Sequence, residues 1–243
     1  MKSRVFEYGP IRTATGLGVI LVDPNSPGAL GKNYYLVALA KKQKAVLQFI
    51  EDTPLDAWRN HGIGMIQAYL HENTEPEVRV HIWHPSLIRP GLHENGSIHD
   101  HRFDMTSDVI LGELTEKVYT PTPDAEGDWE PWSIVNARSA GKENGYDGDC
   151  TPTGDRFSLS TEERTHREGL TYTLPRGVFH ESAAKALTIT VCTMSQKRGR
   201  ARTLARRGLP PVHAFGAPAS TETVQKVLQE AQIALIKSTV PFL

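Results

Sequence analysis

The sequence predicts a mainly β protein, an antiparallel sandwich or barrel with helices at both ends. Three observations predict it. From Pro76 to about Met194 the chain breaks into many short apolar runs separated by turn residues. Within the first run, Val78, Val80 and Ile82 alternate with Arg79, His81 and Trp83, the period of a strand. On either side the period changes to three and four, the period of a helix.

The elements follow in chain order. The first 30 residues are rich in turn pairs (Gly9-Pro10, Asp23-Pro24, Ser26-Pro27-Gly28) and predict short strands and turns. From about Ala29 to Ile50, Leu36, Leu39, Ala40, Val46, Leu47 and Ile50 recur at helical spacing. Thr53-Pro54 has the form of an N-cap followed by Pro at the first helical position, which predicts a second helix over Leu55 to Leu70. Gly62 and Gly64 weigh against that helix. Strands are then expected at 78–83, 98–103, 108–111, 114–119, 134–137, 171–174 and 187–193. Residues 121–169 hold many Gly, Pro and charged residues and are expected to form a long insertion between barrel strands, with at most one short strand inside. Near the C-terminus, Val224, Val227, Leu228, Ala231 and Leu235 share one face of a helix over about 221–236. The expected division is an N-terminal extension over 1–75, a barrel over 76–195, and a basic strap and helix over 196–243.

The chain has 243 residues with 27 Lys+Arg against 28 Asp+Glu, a balance that argues against nucleic acid as a partner. No apolar run approaches the roughly 20 residues that span a membrane. The start MKSRVFEYGP has no apolar core of the kind an export signal needs. Two cysteines, Cys150 and Cys192, cannot build a disulfide framework, so a cytoplasmic location is the expectation.

Seven of the ten histidines lie between His61 and His101. His99 and His101 are two apart on an expected strand, so both rings point to one side and can reach one metal ion. Phe103 and Met105 share that side, whereas Asp104 lies opposite and Glu113 follows a turn. Further on, Gly169, Pro175, Gly177 and His180 are spaced Gly-x5-Pro-x-Gly-x2-His. Pro175 and Gly177 are expected to make a tight hairpin turn that sets His180 just inside the next strand. His180 facing His99 and His101 would give a three-nitrogen metal site with open positions and no carboxylate.

These two segments resemble the motifs of the cupin family. The second motif is matched at Gly169, Pro175, Gly177 and His180, with Ala184 where the family has Asn. The first is matched at His99, His101 and Gly112, with His93 at the leading Gly and Met105 or Thr106 at the position of the Glu ligand. The resemblance covers roughly residues 76–195 and implies a double-stranded β-helix, or jelly-roll barrel, that commonly forms homodimers. Within cupins, a site of three histidines is typical of thiol dioxygenases. Trp83-His84-Pro85, Ile98-His99-Asp100-His101 and Gly112-Glu113-Leu114-Thr115-Glu116 are locally similar to cysteine dioxygenase. The run Thr188-Ile189-Thr190-Val191-Cys192 lacks that family's outer His and Tyr, so cysteine itself is not the expected substrate.

The resemblance implies an Fe(II)-dependent dioxygenase that uses O2 on a small anionic molecule, a thiol or an enolisable acid. A 2+ ion held by three neutral rings keeps its full charge and favours an anionic ligand. Zn, Mn or Ni in the same site would instead support an isomerase, lyase or hydrolase, and a ligand-binding barrel with no activity is the third reading. Tyr172 is a candidate acid or hydrogen-bond donor, with a core tyrosine as the alternative. Arg79 is a candidate anchor for a substrate carboxylate, or else a solvent-facing residue opposite Val78, Val80 and Ile82. His81 and His84 are expected at the surface, with a supporting place behind the metal ligands as the alternative, His93 in a loop before the site, and Cys192 in the core. Six cations between Lys197 and Arg207 read as a nucleic-acid or phosphate site, as a solvated strap balanced by Asp124, Glu126 and Asp128, which the net charge favours, or as arginines closing over an anion.

Overall fold

The structure is a computed structural model that describes residues 29–61, 63–72, 76–88, 97–134, 150–209, 211 and 220–239, with side chains from 37 onward. Two helices, α1 (Ala29–Asp52) and α2 (Thr221–Thr239), flank two antiparallel sheets. The first sheet contains β1 (Arg59–His61), β2 (Ile63–His71), β3 (Glu77–Ile88), β4 (Met105–Leu111), β9 (Thr171–Leu174) and β11 (Thr188–Met194), in the order β1-β2-β3-β11-β4-β9. The second contains β5 (Glu113–Pro123), β6 (Trp129–Ile134), β8 (Phe157–Arg167), β10 (Phe179–Ala183) and β12 (Arg202–Arg206), in the order β10-β5-β8-β6-β12, with β7 (Cys150–Pro152) paired to β6. Mainly antiparallel β structure with a helix at each end is what the alternating and helical patterns require.

The helices cover the outer face of the first sheet. Val224, Val227, Ala231 and Leu235 of α2 and Val46 and Ile50 of α1 pack on Ile66, Ala68, Val80, Ile82, Ile110 and Ile189. Helix α1 is also tied down by Lys42 to Asp108 at 2.9 Å and by the Gln43 amide donating to the Ile110 carbonyl at 3.0 Å. Helix α2 begins at Ser220, whose hydroxyl accepts from the Thr223 N–H at 3.2 Å, the bond of an N-cap.

The expected helix over Leu55 to Leu70 is not present. Only a 3-10 turn, Leu55–Ala57, precedes β1 and β2. Thr53 does not cap a second helix; its hydroxyl and N–H both bond the Phe49 carbonyl and close the end of α1. At Gly64, φ is +101° and Ile88 presses where a Cβ would stand, a conformation that belongs to an irregular strand rather than a helix.

The strand at 78–83 is buried on both faces, because helices cover one side and an interior cavity lies on the other. Strands also lie outside 76–195: β1 and β2 precede it and β12 follows it. The stretch 121–169 is more ordered than expected, since it carries the end of β5 and the strands β6, β7 and β8, with β8 paired along the whole of β5. Residues 135–149 lie outside the described residues, as do the turns expected in the first 28 and His93. The Pro175–Gly177 turn does not close a hairpin. It carries the chain from β9 in one sheet to β10 in the other, with Gly177 at φ +78° donating its N–H to the His101 carbonyl at 3.0 Å.

The segment around His99 is not a full strand. It makes single bridges to His180 on one side and Thr203 on the other. It therefore fits between β10 and β12 and closes the second sheet on itself. Ile98, Phe179 and Leu204 are buried together inside that closure, with Tyr119, Trp129 and Leu159 packed against them.

Candidate metal centre

His99 and His180 face each other across one antiparallel bridge, each donating its N–H to the other's carbonyl, at 3.0 and 2.9 Å. His101 follows by strand parity, and Phe103 and Met105 continue on the same side toward the cavity, as alternation requires. The ligand atoms of His99, His101 and His180 lie within 4.8 Å of one another. Their ring centroids are 4.6–5.1 Å apart. A metal–nitrogen bond is about 2.0–2.1 Å, so a small inward movement of the rings brings all three onto one ion.

The rings are oriented for that role. Nδ1 of His99 faces the Ser97 carbonyl at 2.9 Å, and Nδ1 of His180 faces the Val178 carbonyl at 3.2 Å. A carbonyl can only accept, so Nδ1 carries the proton and Nε2 keeps its lone pair. His101 is stacked on Phe103 at 4.7 Å between centroids. Burial holds all three rings below the ordinary histidine value; for His101 and His180 the neighbouring histidines push further down. All three are neutral lone-pair donors at physiological pH, the state that metal binding needs.

Asp100 fixes the His-x-His segment from behind. It is 2% exposed and accepts from the Arg202 backbone N–H on Oδ1 and from Arg202 Nε on Oδ2 at 2.7 Å. The Arg202 guanidinium also lies over the Phe179 ring at 4.8 Å. This clamp holds the backbone on which both ligands ride.

No carboxylate joins the cluster among the described residues. Asp104 is exposed and caps the Arg176 N–H at 2.9 Å. Glu113 is exposed and pairs with Arg167 at 3.2 Å. Met105 is buried and lines the cavity.

The cavity in front of the three rings has a volume of about 50 Å³, on the measure by which one water needs about 10–15 Å³. It holds a few waters or a small ligand. Its far wall is the inner face of the first sheet. Both sequence candidates stand there. Arg79 faces the cavity rather than solvent; one terminal nitrogen is held by Glu77 at 3.2 Å and the guanidinium lies over Tyr69 at 4.5 Å. Tyr172 lines the cavity too, stacked on His166 at 3.8 Å, and burial raises its phenol above the ordinary value.

Other residues arrive there unannounced by motif. His61, His81 and Gln67 line the same cavity. His81 is buried, not at the surface. It belongs to the face of β3 that the helices leave free, so its parity with Arg79 and Trp83 was the available signal. His84 instead meets Glu230 of α2 at 3.0 Å. Cys192 is buried, as expected, but bonded into a polar chain rather than packed as a plain hydrophobe: its thiol donates to Ser107 Oγ at 3.3 Å. The basic run is largely spent on structure. Lys197 pairs with Glu77, Arg202 with Asp100, Arg207 with Glu126 at 3.9 Å, and Arg206 covers Trp129 at 5.1 Å.

The two-sheet fold and the three converging rings define a β-barrel protein with a metal-competent histidine centre. No family model matches the chain, and no curated protein matches it. Among solved structures it is similar to an RmlC-like cupin from Shewanella frigidimarina, with 18% identity over 61% of this chain and 87% of that one, and a TM-score of 0.33. It is also similar to an oxalate oxidase (17% identity, 74% of this chain and 73% of that one, TM-score 0.28). A third is the hydroquinone 1,2-dioxygenase PnpCD (11% identity, 80% and 90%, TM-score 0.29). No described helix is long and apolar enough to cross a membrane.

Proposed function

We propose that the chain is an Fe(II)-dependent dioxygenase of the cupin type, acting with O2 on a small anionic substrate, a thiol or an enolisable acid. One observation carries the reading: three neutral imidazoles, His180 buried and His99 and His101 half-buried, converge on one point with no carboxylate among the described residues beside them. The donor set fits Fe(II), and also Zn, Mn or Ni. Bound there, Fe(II) supplies the one-electron chemistry by which O2 reacts with a closed-shell anion, placing both oxygen atoms in the product.

The chain's own residues do the rest. His99, His101 and His180 hold the ion. Arg79 faces them from the opposite wall with a fixed positive charge, which attracts and orients an anion. Tyr172 keeps its proton and donates a hydrogen bond to the reacting molecule. Ile63, Met65, Phe103, Met105 and Met194 line the remaining wall and exclude water.

Oxygen uptake tests the reading. Protein loaded with Fe(II) under anaerobic conditions is mixed with O2 and a panel of thiols and enolisable acids. Substrate-dependent uptake that disappears in His180→Ala supports it. No uptake with any of them, with turnover by Zn- or Mn-loaded protein instead, replaces it with an isomerase, lyase or hydrolase.

A further inference from the structure

The cavity wall opposite the three histidines carries a chain of polar side chains that the ion does not need. Gln67 and His81 are direct partners across β2 and β3, and His81 and Thr190 across β3 and β11. Cys192 is opposite Arg79 on one side and Ser107 on the other, and Ser107 is opposite Tyr172. All of these except Ser107 line the cavity.

The bonds within this chain fix its polarity. The Cys192 thiol has one proton and gives it to Ser107 Oγ at 3.3 Å. Its sulfur is therefore an acceptor toward His81 Nδ1, 3.5 Å away. His81 must present N–H to the sulfur, so Nδ1 holds the ring's proton and Nε2 carries a bare lone pair. That Nε2 is buried and has no partner, on a residue 7% exposed. Gln67 Oε1, on a residue 8% exposed, is a second buried acceptor without a partner. Between residues two apart on β3, Arg79 Nε is a buried donor without a partner.

Unmet buried polar atoms cost folding energy and are uncommon. Here two acceptors and one cationic donor line one cavity, which is the complement of a ligand bearing an oxyanion and a nearby neutral donor. A ligand ammonium is disfavoured, because Arg79 already makes this wall hostile to positive charge; burial first, then Arg79 and His61, hold His81 well below its ordinary value. A hydroxyl group meets the acceptors without that penalty.

We infer that His81, with Gln67 beside it, accepts a hydrogen bond from the hydroxyl group of a small hydroxycarboxylic acid whose carboxylate is drawn to Arg79 and the three-histidine face. The inference rests on the metal-centre reading and narrows its small anionic substrate to one that bears a hydroxyl group in place of a thiol. No proton changes owner; His81 is an acceptor that selects and orients.

The probes are pairs of acids that differ by one hydroxyl: glycolate and acetate, lactate and propionate, malate and succinate. Each is titrated into Co(II)-loaded protein and followed by the cobalt absorption bands. At least one hydroxy acid should bind about fivefold or more tighter than its partner, the worth of a buried hydrogen bond. His81→Phe should bring that ratio to about one with Co(II) content and the deoxy acid's affinity unchanged. His81→Gln, which retains an acceptor, should keep part of the preference and guards against a variant that merely unfolds. Equal binding within every pair, or a preference that survives His81→Phe, overturns the inference. If the unaltered protein takes up no Co(II), the metal reading fails separately. The same pairs are then titrated into metal-free protein by calorimetry, where a His81-dependent preference upholds the subsite and its absence overturns it.

Discussion

Replacing Arg202 with Leu should cost about 3 kcal/mol, far more than replacing its partner. Asp100 is almost wholly buried, while the Arg202 side chain is 40% exposed. Removing one member of a buried pair typically costs about 3–5 kcal/mol, because the other charge is left stranded. In Arg202→Leu the stranded charge is the carboxylate, which keeps only the backbone N–H of residue 202. That remaining bond sets the expectation at the low end of the range. In Asp100→Asn the stranded charge is the guanidinium, which already reaches water and keeps its contact with Phe179. About 1 kcal/mol is expected there. Burial raises the Asp100 carboxyl above its ordinary value in spite of Arg202, so desolvation outweighs the pair. The double variant should then be more stable than the two single losses added together. Urea denaturation at pH 7, with a double-mutant cycle, reads all three values. Metal affinity should also fall about 10- to 100-fold in Arg202→Leu, since the clamp positions two ligands. The reasoning is refuted if Arg202→Leu costs less than about 1 kcal/mol, or if Asp100→Asn is the more damaging change.

Acid should destabilise the metal-free protein before its carboxylates titrate. Burial, then His99 and Arg79, lower His61 from 6.5 to about 3, so it stays neutral when folded and gains a proton when unfolded. Its stabilising contribution is complete above the unfolded value and is lost as pH falls toward 3. At pH 5 the loss from His61 alone is about 2 kcal/mol. His81, His101 and His180 act in the same direction; urea curves at pH 7 and pH 5 should show the drop, and His61→Phe should lessen it. Two glycine changes separate strain from crowding. Gly177→Ala, at φ +78°, meets only the Arg202 guanidinium at an ordinary 3.9 Å and should cost about 1 kcal/mol, whereas Gly112→Ala, at φ +82°, meets the Leu187 carbonyl and Thr188 hydroxyl at 2.7 Å and should cost about 3 kcal/mol or more by thermal or urea unfolding. Leu114, fully buried against Ile63, Met65 and Trp83, should cost about 2–5 kcal/mol as Ala by the same measurement, with the far-UV spectrum retained.

Much of the architecture was legible because local periods carry it. The apolar face of α2 and the strand Thr171–Leu174 follow from residue spacing alone. The histidine trio was legible for the same reason: parity put His99 and His101 on one side, and the Pro175–Gly177 turn set the position of His180. What failed required information from distant chain. The false helix over 55–70 borrowed its signal from Thr53, whose hydroxyl is spent closing α1, and from apolar residues that are buried on two faces of a strand rather than one face of a helix. The strands within 121–169 were hidden because β8 alternates polar residues on both sides and is held by pairing with β5. His81 was misplaced because a histidine next to valines and isoleucines reads as the wet side of a half-buried strand. Here the valines and isoleucines face helices and the histidine faces a cavity.

The most direct test of the three-histidine centre is metal content by plasma mass spectrometry on anaerobically purified, untagged protein, with His180→Ala beside it. The centre predicts close to one metal ion per chain in the unaltered protein, its loss in the variant, and an unchanged far-UV spectrum. Iron as that ion supports the oxygen chemistry, and zinc or manganese moves the activity to the hydrolytic or isomerase class. No metal in either protein, or full loading retained without His180, contradicts the assignment.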